Sequence, residues 1–192
     1  MSTHHIDLRL LPDPEFSHTH LLGALHAKLH RALVQLQASD IGISFPQYCL
    51  DPRSLGSLVR LHGSEASLQR LMATDWLKGM RDHLDTSAIT AIPPQVQYRS
   101  IQRRQFKTSA ERLRRRRMQR KSETAPQAEA AIPDSMERQP DLPFVHLRSQ
   151  STGQNFHLFV ALGPLESEPG YTPSTFNSYG LASTPQDTIP WF

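Results

Sequence analysis

Residues 5–37 read HIDLRLLPDPEFSHTHLLGALHAKLHRALVQLQ, and a change of period inside this stretch decides the fold. Residues 5–11 alternate apolar and polar, as a strand with one buried face does, and Pro12-Asp13-Pro14 closes it with a turn. From Ser17 or Thr19 to about Gln37 the period lengthens. Leu22, Leu25, Leu29, Leu33 and Leu36 recur at spacings of three and four, which lays them along one stripe of a helix. Working outward, residues 41–45 form a short apolar strand stopped by Pro46, and residues 55–62 read as another. Residues 64–84 predict a second helix, with Leu68, Leu71, Met72, Trp76, Leu77 and Met80 mostly on one side, and residues 88–92 predict a strand. The order strand–helix–strand–strand–helix–strand predicts an α+β chain whose residues 1–95 form a ferredoxin-like (RRM-like) domain.

Residues 96–192 make the second half. Residues 97–106 read as extended, and 108–121 as helical. Residues 122–142 read as a linker with room for a short helix. Residues 144–150 and 155–162 predict two strands joined by the tight turn Ser151-Thr152-Gly153-Gln154, a β-hairpin, and residues 175–181 predict a last strand. No internal repeat is visible.

The formal net charge of +3 conceals a strong asymmetry. Between Arg99 and Lys121 lie eleven of the 21 Lys and Arg and one of the 18 Asp and Glu, a local charge of +10. Ten basic and seventeen acidic residues remain elsewhere, a net of −7. A basic block on an acidic body marks a localised polyanion site, with nucleic acid the first candidate and an anionic membrane surface the second. Cys49 is the single cysteine, which excludes an internal disulfide and a cysteine-based zinc site. No stretch of about eighteen apolar residues predicts a membrane span, and the first twenty residues lack the pattern of a signal peptide, so a cytoplasmic protein is expected.

The basic block centres on a helix at about 109–121. Thr108 and Glu111 have the spacing of a capping box, and cations then cover nearly every side: Arg112, Arg114, Arg115, Arg116, Arg117, Arg120 and Lys121. Leu113 and Met118 supply too little apolar surface to dock such a helix on a core, so it needs an external partner. Guanidinium forks bind phosphates bidentately, and a polybasic helix fits a groove of duplex RNA. The competing reading is a solvated charge run; the cap and the internal position count against a loose tail.

His26 and His30 stand four apart on the first helix, a spacing that can chelate zinc, but no third ligand or HExxH arrangement accompanies them, so no metal is expected. His30 lies at the flank of the leucine stripe, where a histidine is ordinarily a packed or solvated side chain. Ser149, near the end of a predicted strand, is a candidate partner. No GxSxG elbow supports acyl transfer. RNA cleavage by the ribose 2′-hydroxyl suits the pair better, because the substrate brings its own nucleophile and needs only a neutral imidazole and donors that hold it in line.

Together these pieces resemble the CRISPR-associated endoribonuclease of subtype I-F (Ypest), the repeat-processing family. The matching stretches are Leu11–Phe16, Lys28–His30, Ile41–Pro46, Glu111–Arg116, Ile132–Asp134, Asp141–Val145, Leu147–Phe156, Tyr179–Leu181 and Pro190–Phe192. Each is weak alone; their order and spacing across almost the whole chain are specific. The resemblance implies an RRM-like N-terminal domain and a C-terminal half that presents the basic helix to a CRISPR repeat RNA stem-loop. His30 would be the general base, Ser149 would hold the attacking 2′-hydroxyl, Ser151 would lie near the scissile phosphate, and Tyr179 would orient His30. Cleavage at the 3′ base of the hairpin would leave a 2′,3′-cyclic phosphate, with no metal or other cofactor, and the protein would stay on its product.

The resemblance further implies that Arg103 and Gln105 read base edges at the bottom of the stem, Arg on guanine and Gln on adenine, where the deep RNA groove opens at a helix end. Phe156 would stack under the terminal base pair; its alternating strand pattern leaves a core residue as the lesser alternative. Arg112, Arg115, Arg116, Gln119, Arg120 and Lys121 would line the groove. Gln119 and Lys121 depart from the family pattern, which has a further cation and a histidine there, and Arg104 and Arg117 are extra charges. The retained RNA would recruit other CRISPR-associated subunits of a type I-F surveillance complex, the protein being monomeric by itself. The alternative is a non-catalytic subunit that only caps a guide hairpin; a membrane-surface protein is disfavoured because the basic helix lacks an apolar face.

Overall fold

The computed structural model describes residues 2–105, 110–133, 141–149 and 153–192. The chain divides into two compact units, Met1–Arg104 with Leu142–Phe192, and Gln105–Asp141.

The first unit is mixed α+β with several antiparallel sheets. Strand β1 (His4–Leu10) leads into helix α1 (His18–Leu36), then β2 (Gly42–Ser44), a small pair β3 (Cys49–Leu50) and β4 (Arg53–Ser54), β5 (Leu58–Gly63), helix α2 (Glu65–Met72), β6 (Leu84–Thr86) and β7 (Thr90–Ala91). The main sheet has the order β2-β5-β1-β6, with β7 further along the β6 edge of β1. The predicted strand at 88–92 is therefore one half of a broken edge. The break has a local cause: the Ser87 hydroxyl accepts from the Asp7 N–H at 2.9 Å, a bond that a continuous ladder would have given to a carbonyl.

Helix α1 follows its sequence pattern. The Ser17 side chain caps its start, Gln37 in the left-handed conformation ends it, and Leu22, Leu25, Leu29 and Leu33 are buried. The second predicted helix is shorter than expected. Ser64 caps α2, but the helix stops at Met72, and the chain then turns through Asp75 and Gly79, at φ of 52° and 76°. Trp76, Leu77 and Met80 are nonetheless buried, so their helix-like spacing records burial along successive turns.

The predicted extended segment 97–106 resolves into β8 (Gln97–Arg99) and β9 (Ile101–Arg104), which join different sheets. β9 lines up beside the hairpin of β10 (Phe144–Arg148) and β11 (Asn155–Leu162), in the order β10-β11-β9. β8 pairs instead with β12 (Ile189–Trp191). The strand expected at 175–181 is a turn. The Asn177 carboxamide accepts from the Tyr179 and Leu181 N–H groups, an arrangement that competes with a strand ladder. One apolar core runs from Ile6 on β1 through α1 to Leu158 on β11 and Ile189 on β12, across position 95.

On the other side of β1, Arg60 forms a two-pronged ion pair with Asp7 (2.6 and 2.9 Å) and donates to the Phe192 backbone oxygen at 2.6 Å, with the Phe192 ring 4.0 Å from the guanidinium. The pair holds the Asp7 carboxyl below its usual range despite its partial burial.

The second unit consists of α3 (Ala110–Lys121) and α4 (Ala125–Ala131). Ala110 and Ala128 are buried, Arg114 Nε donates to the Ile132 carbonyl at 2.8 Å, and Arg117 Nε pairs with Glu123 at 2.5 Å. The basic helix thus has a small partner of its own, which Leu113 and Met118 alone did not predict. The expected cap residue Thr108 lies outside the described residues. No described helix is long and apolar enough to cross a membrane.

Candidate active site

Helix α1 and strand β10 carry the site. At Gly23 the helix backbone comes so near β10 that a Cβ would stand 2.5 Å from the His146 carbonyl oxygen, and only glycine permits that approach. One turn on, His26 is sealed in the core, 2% exposed. Its pKa is lowered to about 4, chiefly by burial and then by the charge of His30, so it is neutral near pH 7. One turn further, His30 is half-buried. Its Nδ1 lies 2.8 Å from the Ser178 carbonyl oxygen. A carbonyl can only accept, so Nδ1 carries the proton, and the neutral ring keeps its lone pair on Nε2.

The loop that supplies this carbonyl is rigidly built. Asn177 closes it, Gly180 sits at φ 72°, and the Gly180 carbonyl accepts from the Ile43 N–H at 2.9 Å. The same loop lays the Tyr179 ring on His30, with centroids 4.2 Å apart and planes 9° apart. The His26 ring is nearly parallel to Tyr179 as well, at 6.1 Å.

A cavity of about 260 Å³ is lined by Ala27, His30, Arg31, Leu147, Arg148, Ser149, Phe156 and Tyr179. His30, Ser149, Phe156 and Tyr179, nominated from distant stretches of the sequence, line this one cavity. Ser149 directly follows β10, its N–H donating to the Gln154 carbonyl and its carbonyl accepting from Gly153, both at 2.8 Å. Phe156 is half-buried at the cavity wall, between the two readings left open for it. Arg103, on β9, holds its guanidinium 5.4 Å from the Tyr179 ring centroid and 5.8 Å from that of Phe156. Gln105 is exposed. Ser151 lies outside the described residues.

In the second unit Arg115, Arg116, Gln119, Arg120 and Lys121 are exposed on α3, while Arg114 and Arg117 are turned to Ile132 and Glu123; Arg112 lies within the same helix. The sequence reading missed Arg31 and Arg148, both at the cavity, though each directly follows or precedes a nominated residue. Among the described residues no three His, Cys, Asp or Glu side chains converge to hold a metal ion.

The fold and cavity define a small α+β protein with a histidine-centred polar site and a separate arginine-rich helical unit. Residues 5–192 match the family model of the CRISPR-associated protein (Cas_Csy4). The "CRISPR-associated endonuclease Cas6/Csy4" of Pseudomonas aeruginosa (strain UCBPP-PA14) is 44% identical over 192 residues, covering 98% of this chain and 99% of the relative. A protein of the same name from Escherichia coli (strain UTI89 / UPEC) is 42% identical over 189 residues, with the same coverage. A solved RAMP protein binding different RNA substrates aligns over both whole chains at a TM-score of 0.35 and 11% identity, too loose a likeness to argue from. The chain belongs to the Cas_Csy4 family of CRISPR-associated proteins.

Proposed function

We propose that this protein is a metal-independent endoribonuclease that binds the CRISPR repeat stem-loop, cuts precursor CRISPR RNA at the 3′ base of the hairpin and stays on the product. The observation that carries this reading is the orientation of His30: a backbone carbonyl accepts the hydrogen bond from Nδ1–H and leaves the Nε2 lone pair free to act as base, beside a serine-bearing cavity. Nε2 removes the proton of the 2′-hydroxyl, the 2′-oxygen attacks the adjacent phosphorus, and the bond to the 5′-oxygen of the next nucleotide breaks, leaving a 2′,3′-cyclic phosphate; the departing 5′-oxygen takes a proton from water and becomes a hydroxyl, and the imidazolium returns its proton to solvent. Ser149 holds the 2′-hydroxyl, Ser151 contacts the scissile phosphate, and Tyr179 fixes the imidazole plane by stacking. Arg103 and Gln105 read the foot of the stem, Phe156 stacks beneath it, and Arg112, Arg115, Arg116, Gln119, Arg120 and Lys121 follow the groove.

In this reading residues 1–95 are a ferredoxin-like domain, supported by the strand order β2-β5-β1-β6, and residues 96–192 serve the hairpin. The protein works as a monomer in the cytoplasm until its RNA brings in the other subunits of a type I-F complex. The relatives' names, both of CRISPR-associated endonucleases, support the activity. Incubation with the repeat RNA in excess chelator tests the reading. His30→Ala is expected to abolish cleavage while hairpin binding stays within a few-fold. Full cleavage by the variant overturns the base assignment, and stable binding without cleavage by the wild type favours a non-catalytic hairpin-capping subunit.

A further inference from the structure

The two faces of the β10-β11 hairpin are unlike. Val145, Leu147, Leu158 and Val160 are buried in the core, and the alternation of a strand turns Phe144, His146, His157 and Phe159 to the opposite face. His146 and His157 stand directly across the ladder from each other. The Val160 N–H donates to the Pro143 carbonyl at 3.0 Å and the Ser149 N–H to the Gln154 carbonyl at 2.8 Å, so the hydrogen-bonded pairs fall on the odd-numbered residues of this strand. The pair of His146 with His157 is therefore of the non-hydrogen-bonded kind, in which facing Cα atoms lie only about 4.5 Å apart and side chains come close. The two imidazoles meet accordingly, with centroids 4.4 Å apart and planes at 83°.

Aromatic neighbours hold the pair in place. Phe144 stacks on His157 at 4.3 Å and meets His146 edge-on at 4.8 Å, and Phe159 meets His157 edge-on at 5.7 Å. Both imidazoles are nonetheless exposed. Partial burial, and then the charge of His146, lowers the His157 pKa and favours the neutral ring whose lone pair a metal ion takes. Imidazole nitrogens bind divalent transition ions at about 2.0–2.1 Å, so two rings that share one ion stand about 4.5–5 Å apart, centre to centre. The observed spacing is close to that. The same face carries two cations, Arg104 opposite Phe159 and Arg148, whose Nε donates to the Gly153 carbonyl at 3.0 Å. Among the described residues no third His, Cys, Asp or Glu joins the pair, so the grip on an ion is modest and exchangeable.

We propose that His146 and His157 form a two-imidazole site for a divalent ion of the zinc, nickel and copper class, with water in its remaining positions. Magnesium and calcium do not suit it, because they take oxygen ligands and the pair offers only nitrogen. A bound ion clips β10 to β11 across the ladder, on the face turned away from Leu147 and the core. It takes part in no step of the cleavage proposed above, and the site stands or falls independently of that reading.

Zinc chloride titrated calorimetrically into the tag-free, full-length protein tests the site. His146→Gln and His157→Gln are each expected to weaken zinc binding by about tenfold or more, and the double variant to be no weaker than either, because losing one arm already breaks a chelate. His20→Gln removes an exposed histidine that stacks on Phe16 and is expected to leave the affinity unchanged. Zinc is expected to raise the Tm of the wild type and of His20→Gln but not of the two site variants. Both substituted positions are exposed, so all forms should share one metal-free Tm, which checks that they fold. Histidine-selective nitrogen NMR supplies a second readout, with zinc-induced shifts expected at the rings of His146 and His157. Affinity that survives either site substitution, losses that add in the double variant, a loss in His20→Gln, magnesium binding as tightly as zinc, or ring shifts confined to other histidines overturns the proposal.

Discussion

Burial withdraws His26 from proton chemistry, and the same effect on His62 makes a prediction about stability. His26 is lowered to about 4 and His62 to about 3, His62 by burial first and then by Arg60, with its Nε2 2.8 Å from the Ser44 hydroxyl. Both imidazoles bind a proton near pH 6.5 when unfolded but stay neutral in the fold. The unfolded chain therefore holds more protons below pH 6.5, and stability is full above that pH and lost as pH falls toward 4 and 3. Each such histidine adds a slope of about 1.4 kcal/mol per pH unit within its window. Chemical denaturation of wild type and His26→Phe between pH 7 and pH 4 is expected to show a shallower slope in the variant; equal slopes contradict it. On the proposed mechanism the ring of Tyr179, stacked 4.2 Å from His30, positions the base. Tyr179→Phe is expected to leave cleavage nearly unchanged, and Tyr179→Ala to lose about two- to tenfold, in single-turnover assays, as a stacking pair of about 0.5–1.5 kcal/mol requires.

Among elements, the contact of α1 with β10 allows a test in which two rules predict opposite signs. Helix propensity favours Gly23→Ala by about 1 kcal/mol. Packing opposes it, because the new Cβ meets the His146 carbonyl oxygen at 2.5 Å and would force the helix off the strand. Overpacking against backbone costs about 1–3 kcal/mol, so a net loss is expected, read as a lower Tm together with slower cleavage. A higher Tm would show that the helix can shift freely. The elements most legible in the sequence were those set by one strong period. α1 and the hairpin strands came through because a leucine stripe and an alternating pattern each admit one structure. The end of α2 did not, since Trp76, Leu77 and Met80 keep a helical spacing while Asp75 and Gly79 turn the chain. Nor did the 175–181 segment, where one carboxamide, Asn177, outcompetes a strand ladder.

For the whole molecule, charge is the main lever on the proposed RNA binding. The exposed cations of α3 predict strong salt dependence, and each phosphate deprived of its cation lowers the slope of log affinity against log salt by about 0.7–0.9. Arg115→Ala and Arg116→Ala together are expected to reduce the slope by about 1.5 and weaken binding about equally for matched and mismatched stems; an unchanged slope excludes these side chains from the phosphates. A tight electrostatic grip also predicts one turnover per protein, checked by a burst of product equal to the enzyme added. The meeting of His30, Ser149, Phe156 and Tyr179 in one cavity could not be derived from spacing, because α1, the hairpin and the 177–181 loop lie far apart in the chain. Arg31 and Arg148 escaped notice for a related reason: a lone arginine beside a nominated residue has no pattern until the walls of the groove are known.

The acceptor that fixes the His30 tautomer belongs to the main chain. A side-chain carboxylate in that role can be deleted by one codon change, but every residue at position 178 brings the same oxygen. The heritable weak points are therefore displaced to Asn177 and Gly180, which shape the loop. Drift at Ser178 should be silent, and damage at its neighbours should disarm the base without touching it.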